Sequence, residues 1–261
     1  MRSGNIAALS VANVFANVAV IVVNALAGST ALIGGQQTAA ISDSNPTLVT
    51  PAGFTFTIWG LIYLLLGVFV VYQLLVRPRS SSPHGRIGWL FVLSAVFNIA
   101  WLFAWQYEQL VISVVIMLLL LITLIAIYRR LRVGEESVGW TDRLAVQLPF
   151  SVYLGWITVA TVANVSAALV SIGWDGLGIA PEIWAIVVLL LVLVITVTMA
   201  FDRRDVAYGA VIVWALVGIA SNQSDNTTIV AATVTTAAVI VVAYAVSLLR
   251  FRRRSPRTTR A

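Results

Sequence analysis

Residues 110–132 read LVISVVIMLLLLITLIAIYRRLR, nineteen residues without a charge and then arginine at 129, 130 and 132. At 1.5 Å rise per residue, about 20 apolar residues in a helix match the roughly 30 Å hydrocarbon core of a bilayer. The stretch therefore predicts a membrane-crossing helix that ends in basic residues at one surface. The pattern recurs outward in both directions. Eight spans are predicted, at about 6–32, 54–76, 87–106, 109–129, 143–171, 182–201, 206–222 and 227–249. A seven-span reading would drop 206–222 and strand either Arg203 and Arg204 or the basic tail on the opposite side.

Composition agrees. The chain is 60% hydrophobic and 10% charged, with mean hydropathy +0.98, a balance foreign to soluble domains. All sixteen basic residues are arginines. They fall in five clusters: Arg2, Arg77 to Arg86, Arg129 to Arg143, Arg203 with Arg204, and the tail from Arg250. Two spans fit between each cluster and the next, so all sixteen can lie on one face. The positive-inside rule makes that face cytoplasmic and puts both termini there. The +6 net charge is then a membrane asymmetry and no sign of a nucleic-acid partner. The expected location is the cell membrane, with the lipid bilayer as a partner. The first apolar run is too long for a signal peptide and reads as a span.

Residues 33–53 form the one long outer segment. Gly34, Gly35, Pro46, Pro51 and Gly53 punctuate it. It shows no obvious helical period and is expected to be a mobile loop or a lid.

Several chemistries are excluded. Without cysteine there is no disulfide, Fe–S cluster or thiolate zinc site. Without lysine there is no retinal Schiff base. His84 is the only histidine and is placed in an inner loop, so bis-histidine haem and Ser-His catalysis are disfavoured. No charge sits deep in a span, where insertion costs about 2.5–3.5 kcal/mol and usually marks an ion or proton path. Asp202-Arg-Arg-Asp205 has the D-x-x-D spacing that some membrane prenyl-transfer enzymes use for magnesium; it also reads as a tight, self-neutralising turn.

Polar and aromatic stripes mark the first five spans. Asn13, Asn17 and Asn24 share a face of the first, and Phe56, Trp59 and Tyr63 of the second. Ser94, Asn98, Trp101 and Trp105 share a face of the third, and Tyr153, Trp156, Ala160 and Asn164 of the fifth. Asparagine in hydrocarbon needs a partner, so these faces should point into the bundle. Such asparagines also serve simply to bond helix to helix, and tryptophans near helix ends form an interfacial belt. Trp89, Trp140, Trp174 and Trp184 are assigned to that belt, and Trp59, Trp101 and Trp105 could belong to it. Trp156 is mid-span and either fills the core or lines a cavity. Trp214 stands in the seventh span with no polar stripe around it.

These stripes resemble the TspO/MBR family, the tryptophan-rich sensory proteins related to the mitochondrial translocator protein (peripheral benzodiazepine receptor). The matching motifs are Phe56-Thr-Ile-Trp59-Gly-Leu-Ile-Tyr63 after Pro51, Asn98-Ile-Ala-Trp101, and Tyr153-Leu-Gly-Trp156-Ile-Thr158-Val-Ala160-Thr161-Val-Ala-Asn164. The family's Trp-x-Pro-Pro before the second span is reduced here to Thr50-Pro51. Its proline directly before the fifth-span tyrosine is absent, with Pro149 four residues upstream. The resemblance implies a five-helix core over residues 1–171. Residues 172–249 would then add three helices, and 250–261 a basic cytoplasmic tail. It also implies a pocket for a flat hydrophobic ligand, porphyrin- or sterol-like, closed on one side by the first loop. The implied site residues are Trp59, Tyr63, Asn98, Trp101, Tyr153, Trp156 and Asn164, with Asn24. None is a catalytic acid, base or nucleophile. The expected role is binding or sensing, with no metal and no cofactor beyond a bound tetrapyrrole or sterol; the reading admits a homodimer. The alternatives are a transporter of a hydrophobic metabolite and a membrane enzyme acting on a lipid or tetrapyrrole.

Overall fold

The computed structural model describes residues 3–30, 32–76 and 83–254, and for 3–7, 29, 83, 84 and 252–254 the backbone alone. Arg2, Arg77, Arg79, Arg257, Arg260 and the His84 side chain lie outside the described residues. Eight long helices follow one another along the described chain. They are α1 (Ser3–Ser29), α2 (Ile58–Leu75), α3 (Leu90–Gln106), α4 (Leu110–Leu131), α5 (Leu148–Ser171), α6 (Pro181–Asp202), α7 (Val206–Asn222) and α8 (Thr227–Arg254). Each falls on an expected span, with its ends shifted by a few residues. Among the described residues, six helical stretches are long and apolar enough to cross a membrane. Of these, α5 is continuous with the turns before it, giving Trp140–Ser171. The other two helices, α3 and α7, have 17 residues each, or about 26 Å of rise. The chain is an integral membrane protein.

Local chemistry sets the helix ends. Asp205 precedes α7, and its side chain accepts from the Tyr208 amide at 3.2 Å. Asn226 does the same for α8 through the Ile229 amide at 3.2 Å. Such caps satisfy donors that have no partner within the helix. Pro181 opens α6, where its missing N–H costs nothing. Pro149 sits at the start of α5, directly after a π-turn over Arg143–Gln147. The wider turn fits a residue that cannot donate to the preceding turn.

The first five helices close into a ring in the order α1, α2, α5, α4, α3, with α3 returning to α1. The asparagine stripe of α1 faces inward as expected: Asn13 and Asn17 are buried, and Asn13 Nδ2 donates to Gln73 Oε1 at 2.9 Å. The other three helices form a second layer. α7 packs on α5, and α8 packs on both α6 and α7. Across the layers, Tyr128 on α4 donates to the Asp205 carboxylate at 2.9 Å. That bond and the cap occupy both Asp205 oxygens, so the D-x-x-D segment reads as a structural turn.

The described arginine clusters meet at one end of the bundle. Glu136 receives Arg86 at 2.7 Å and Arg132 at 2.6 Å, and Arg203 pairs with Glu135. Arg204 lies over the Phe251 ring at 4.5 Å and Arg250 over Phe201 at 5.8 Å. Hydrogen bonds from Arg86 and Arg132 hold the Glu136 carboxyl below its ordinary range. A depressed carboxyl contributes stability above its unfolded value, and that contribution is lost as pH falls through the folded one. Glu136→Gln is thus expected to lower the melting temperature slightly at pH 7. The difference from wild type should vanish once the pH has fallen below the lowered Glu136 value, where Glu136 is itself neutral. Melting curves at the two pH values check both statements.

The opposite end carries the long loop, and here the structure departs from the sequence reading. The segment is not free of helix. It holds a short helix, Thr38–Ser44, and a 3-10 turn, Gly53–Thr57, that leads into α2. Seven residues are too few to show a period in sequence, and neighbouring helices supply the contacts that hold them.

Candidate ligand-binding site

Beneath this loop, α2, α3 and α5 turn their aromatic stripes toward one another. Trp59 is the hub. It stacks on Tyr63 with ring centroids 5.6 Å apart and on Trp101 at 5.8 Å. It meets Tyr153 and Trp156 edge to face, each at 6.2 Å. The stack continues from Trp101 to Trp105 at 5.9 Å, and Phe56 stands edge-on to Trp156 at 5.9 Å. Offset and edge-to-face pairs of this kind set the electron-rich face of one ring near the electron-poor rim of another.

Amide side chains fix the rings. Trp101 Nε1 donates to Asn164 Oδ1 at 2.8 Å, and Asn164 Nδ2 donates to Ser113 Oγ at 2.7 Å. Asn164 thereby joins α3, α5 and α4. Deeper in the bundle, Asn24 Nδ2 donates to Asn98 Oδ1 at 2.8 Å, and Asn98 Nδ2 to the Tyr153 hydroxyl at 3.0 Å. That chain joins α1, α3 and α5. Trp156 is not fixed in this way: it is 2% exposed, and its Nε1, like the Tyr63 hydroxyl, has no hydrogen-bond partner.

These rings enclose a pocket lined by Ser42 and Pro51 of the loop and by Phe56, Trp59, Trp101, Trp105, Trp156 and Asn164, with Val159, Ala160 and Ala163 of α5. The cavity is about 30 Å³, and about 410 Å³ with its open mouth and the crevices between the rings. The smaller figure admits water and no large ligand.

The loop forms the roof and is held from two sides. From α3, Trp105 Nε1 donates to the Thr38 carbonyl at 3.1 Å. The Gln106 amide nitrogen lies within reach of the carbonyls of Ala27, Ile33 and Gln36, at 3.3, 3.1 and 2.8 Å. From α7, Trp214 Nε1 donates to the Thr55 carbonyl at 3.2 Å and Asn222 Nδ2 to that of Thr50 at 3.1 Å. Just past the helix, Gln223 Nε2 donates to the Thr47 carbonyl at 3.2 Å. In return the Ala52 amide donates to the Gly218 carbonyl at 3.0 Å.

Of the eight expected site residues, four line the pocket: Trp59, Trp101, Trp156 and Asn164. Tyr63, Asn98, Tyr153 and Asn24 do not line it: Asn24, Asn98 and Tyr153 form the bonded layer below, and Tyr63 stacks on Trp59. Trp105 and Phe56 belong to the pocket and stood in the expected stripes, though they were outside the expected site. Ser42 and Pro51 carried no signal beyond their place in the loop. The belt alternative fails for Trp101 and Trp105, each 4% exposed, and Trp59 turns inward with them. Trp89 and Trp140 are exposed, as a belt requires. Trp174 and Trp184 pack together at 5.2 Å, and Trp184 also donates to the Gly176 carbonyl at 2.9 Å. Trp214, in a span without a polar stripe, is tied to the roof.

Comparison with curated proteins and with solved structures gave no match. The family described as TSPO-like protein matches residues 10–247, a range that runs through the five-helix ring and on into α8. The chain belongs to the TSPO-like family.

Proposed function

We propose that the protein binds a flat, largely apolar small molecule, porphyrin- or sterol-like, between α2, α3 and α5 under the 33–57 roof. The observation that carries this reading is Trp156: a buried indole N–H without a partner, in the wall of a pocket lined mostly by aromatic and aliphatic side chains. Leaving a buried donor unpaired costs about 1–3 kcal/mol, so an acceptor on a ligand has a place to bind. Stacking surface comes from Trp59 and Trp101, whose orientation Asn164 fixes. The lining contains no carboxylate, histidine or thiol, which favours binding over catalysis. Below Tyr153 the rings of Phe69, Phe91 and Phe150 pack at 5.1 to 6.2 Å. All three are buried, and this plug favours a closed-ended site over a passage across the membrane. In the bilayer all eight helices cross, with both termini on the arginine-rich, cytoplasmic face of the cell membrane.

The test is a titration with a soluble porphyrin, read both by tryptophan fluorescence and by the porphyrin's own absorbance. Wild type should saturate. Trp156→Ala and Trp101→Ala should weaken the Kd by about tenfold or more, as truncation of a buried aromatic anchor does. The absorbance channel keeps the loss of a fluorophore from passing as a loss of affinity. Saturable binding with the same Kd in both variants would move the ligand elsewhere. The same titration with a sterol separates the two ligand kinds.

A further inference from the structure

The roof over the pocket is held in part by a helix that lies outside the five-helix ring. Trp214, Gly218 and Asn222 recur every four residues and so share one face of α7, and Gln223 follows. Together they make or accept four hydrogen bonds with backbone groups of residues 47–55. Trp214 also meets Phe54 edge-on at 5.4 Å. At Gly218 the fit is close enough to need the glycine: a Cβ there would lie 2.1 Å from Thr55 Cγ2 and 3.2 Å from Pro51 Cβ. Pro51 is a pocket-lining residue. The cavity beneath is too small for a ligand of the proposed size, so entry requires part of the roof to lift.

We propose that α7 is the latch of the roof, and that Gly218, Asn222 and Gln223 are positioning residues that set how readily segment 47–55 opens. Three of the four bonds are side chain to backbone, and none belongs to the helical ladder of α7, so the segment can release without unfolding α7, in the manner of a local opening. The second layer of helices thereby acquires a role at the site: it sets access to the pocket. The relevance to ligand entry rests on the binding reading; the latch itself does not.

The test needs no ligand. The chain has no cysteine, so Ser42→Cys places a single thiol at a buried, pocket-lining position. Its reaction rate with a water-soluble maleimide, in nanodiscs, reports opening. Adding Asn222→Ala with Gln223→Ala should raise that rate by about tenfold or more, at roughly fivefold per hydrogen bond lost. Gly218→Ala should raise it as well. Alanine is the better helix former, so faster labelling in that variant cannot come from a weakened α7. Ser94→Cys, buried in α3, is the reference and should keep its rate in both backgrounds. Unchanged labelling at position 42, or equal acceleration at 42 and 94, overturns the latch. A failed porphyrin titration would leave this result untouched, and the converse also holds.

Discussion

Asn164→Leu is expected to cost about 2–3 kcal/mol of stability, more than removal of one hydrogen bond in a membrane bundle usually does. Interhelical hydrogen bonds in membranes average about 0.6 kcal/mol, because the separated helices find other partners. Asn164 differs in what it leaves behind. Leucine fills a similar volume but accepts nothing, so Trp101 Nε1 loses its acceptor while the ring stays 4% exposed. An orphaned buried donor costs about 1–3 kcal/mol. The other half of the loss is smaller, because Ser113 still donates to the Leu110 carbonyl at 2.7 Å. The ring has little freedom to seek a new acceptor, being stacked between Trp59 and Trp105. Unfolding in mixed micelles measures the loss, and a second substitution assigns it. Trp101→Phe removes the N–H and keeps a ring. If the orphan dominates, the pair Trp101→Phe with Asn164→Leu should be more stable than Asn164→Leu alone. A double variant no more stable than the single would place the cost in packing around α4 and α5.

The contrast between the two sides of the roof shows what was legible in the sequence. Tyr153, Trp156 and Asn164 announced a face by helical spacing, and the structure turns that face inward. Asn24 and Asn98 announced a need for partners and proved to be each other's. Trp214, Gly218 and Asn222 have an equally regular spacing, but a glycine between two polar-tipped residues in an apolar helix does not stand out. Their partners lie far off in sequence: the Trp214 bond to Thr55 spans 159 residues. Periodicity reports which residues share a face and says nothing of what covers it. The same limit hid Ser42 and Pro51, whose part in the pocket depends on where α3 and α7 hold the loop. The vacant hydrogen-bonding capacity of Trp156 was equally unreadable, since spacing places an indole on a face and does not say whether an acceptor stands opposite its N–H. Tyr63, Asn98 and Tyr153 lie on the predicted faces, but one turn nearer the basic end than the cavity.

Gly34→Ala is expected to cost about 3 kcal/mol, and Gly35→Ala about 1 kcal/mol. The two residues are neighbours with nearly the same backbone, φ +71° and φ +79°. Both lie in the left-handed region, which penalises any residue with a Cβ by about 1–2 kcal/mol. Their surroundings separate them. A Cβ on Gly35 meets nothing within 4 Å, whereas one on Gly34 would lie 2.1 Å from the Gln106 carbonyl oxygen and 2.6 Å from its carbon. Those atoms belong to the last residue of α3 and cannot swing aside like a side-chain tip, so the loop must retreat. Retreat breaks the contacts of the Gln106 amide with Ile33 and Gln36, and with them the α3 side of the roof. Gly35→Ala thus serves as an internal reference for the conformational cost. Melting temperatures of the two variants give the comparison, and amide exchange over residues 32–44 shows where the damage falls. Gly34→Ala should lose protection there while α6 and α8 keep theirs. Equal losses in the two variants would mean that φ alone matters and that the approach of the loop to α3 contributes nothing.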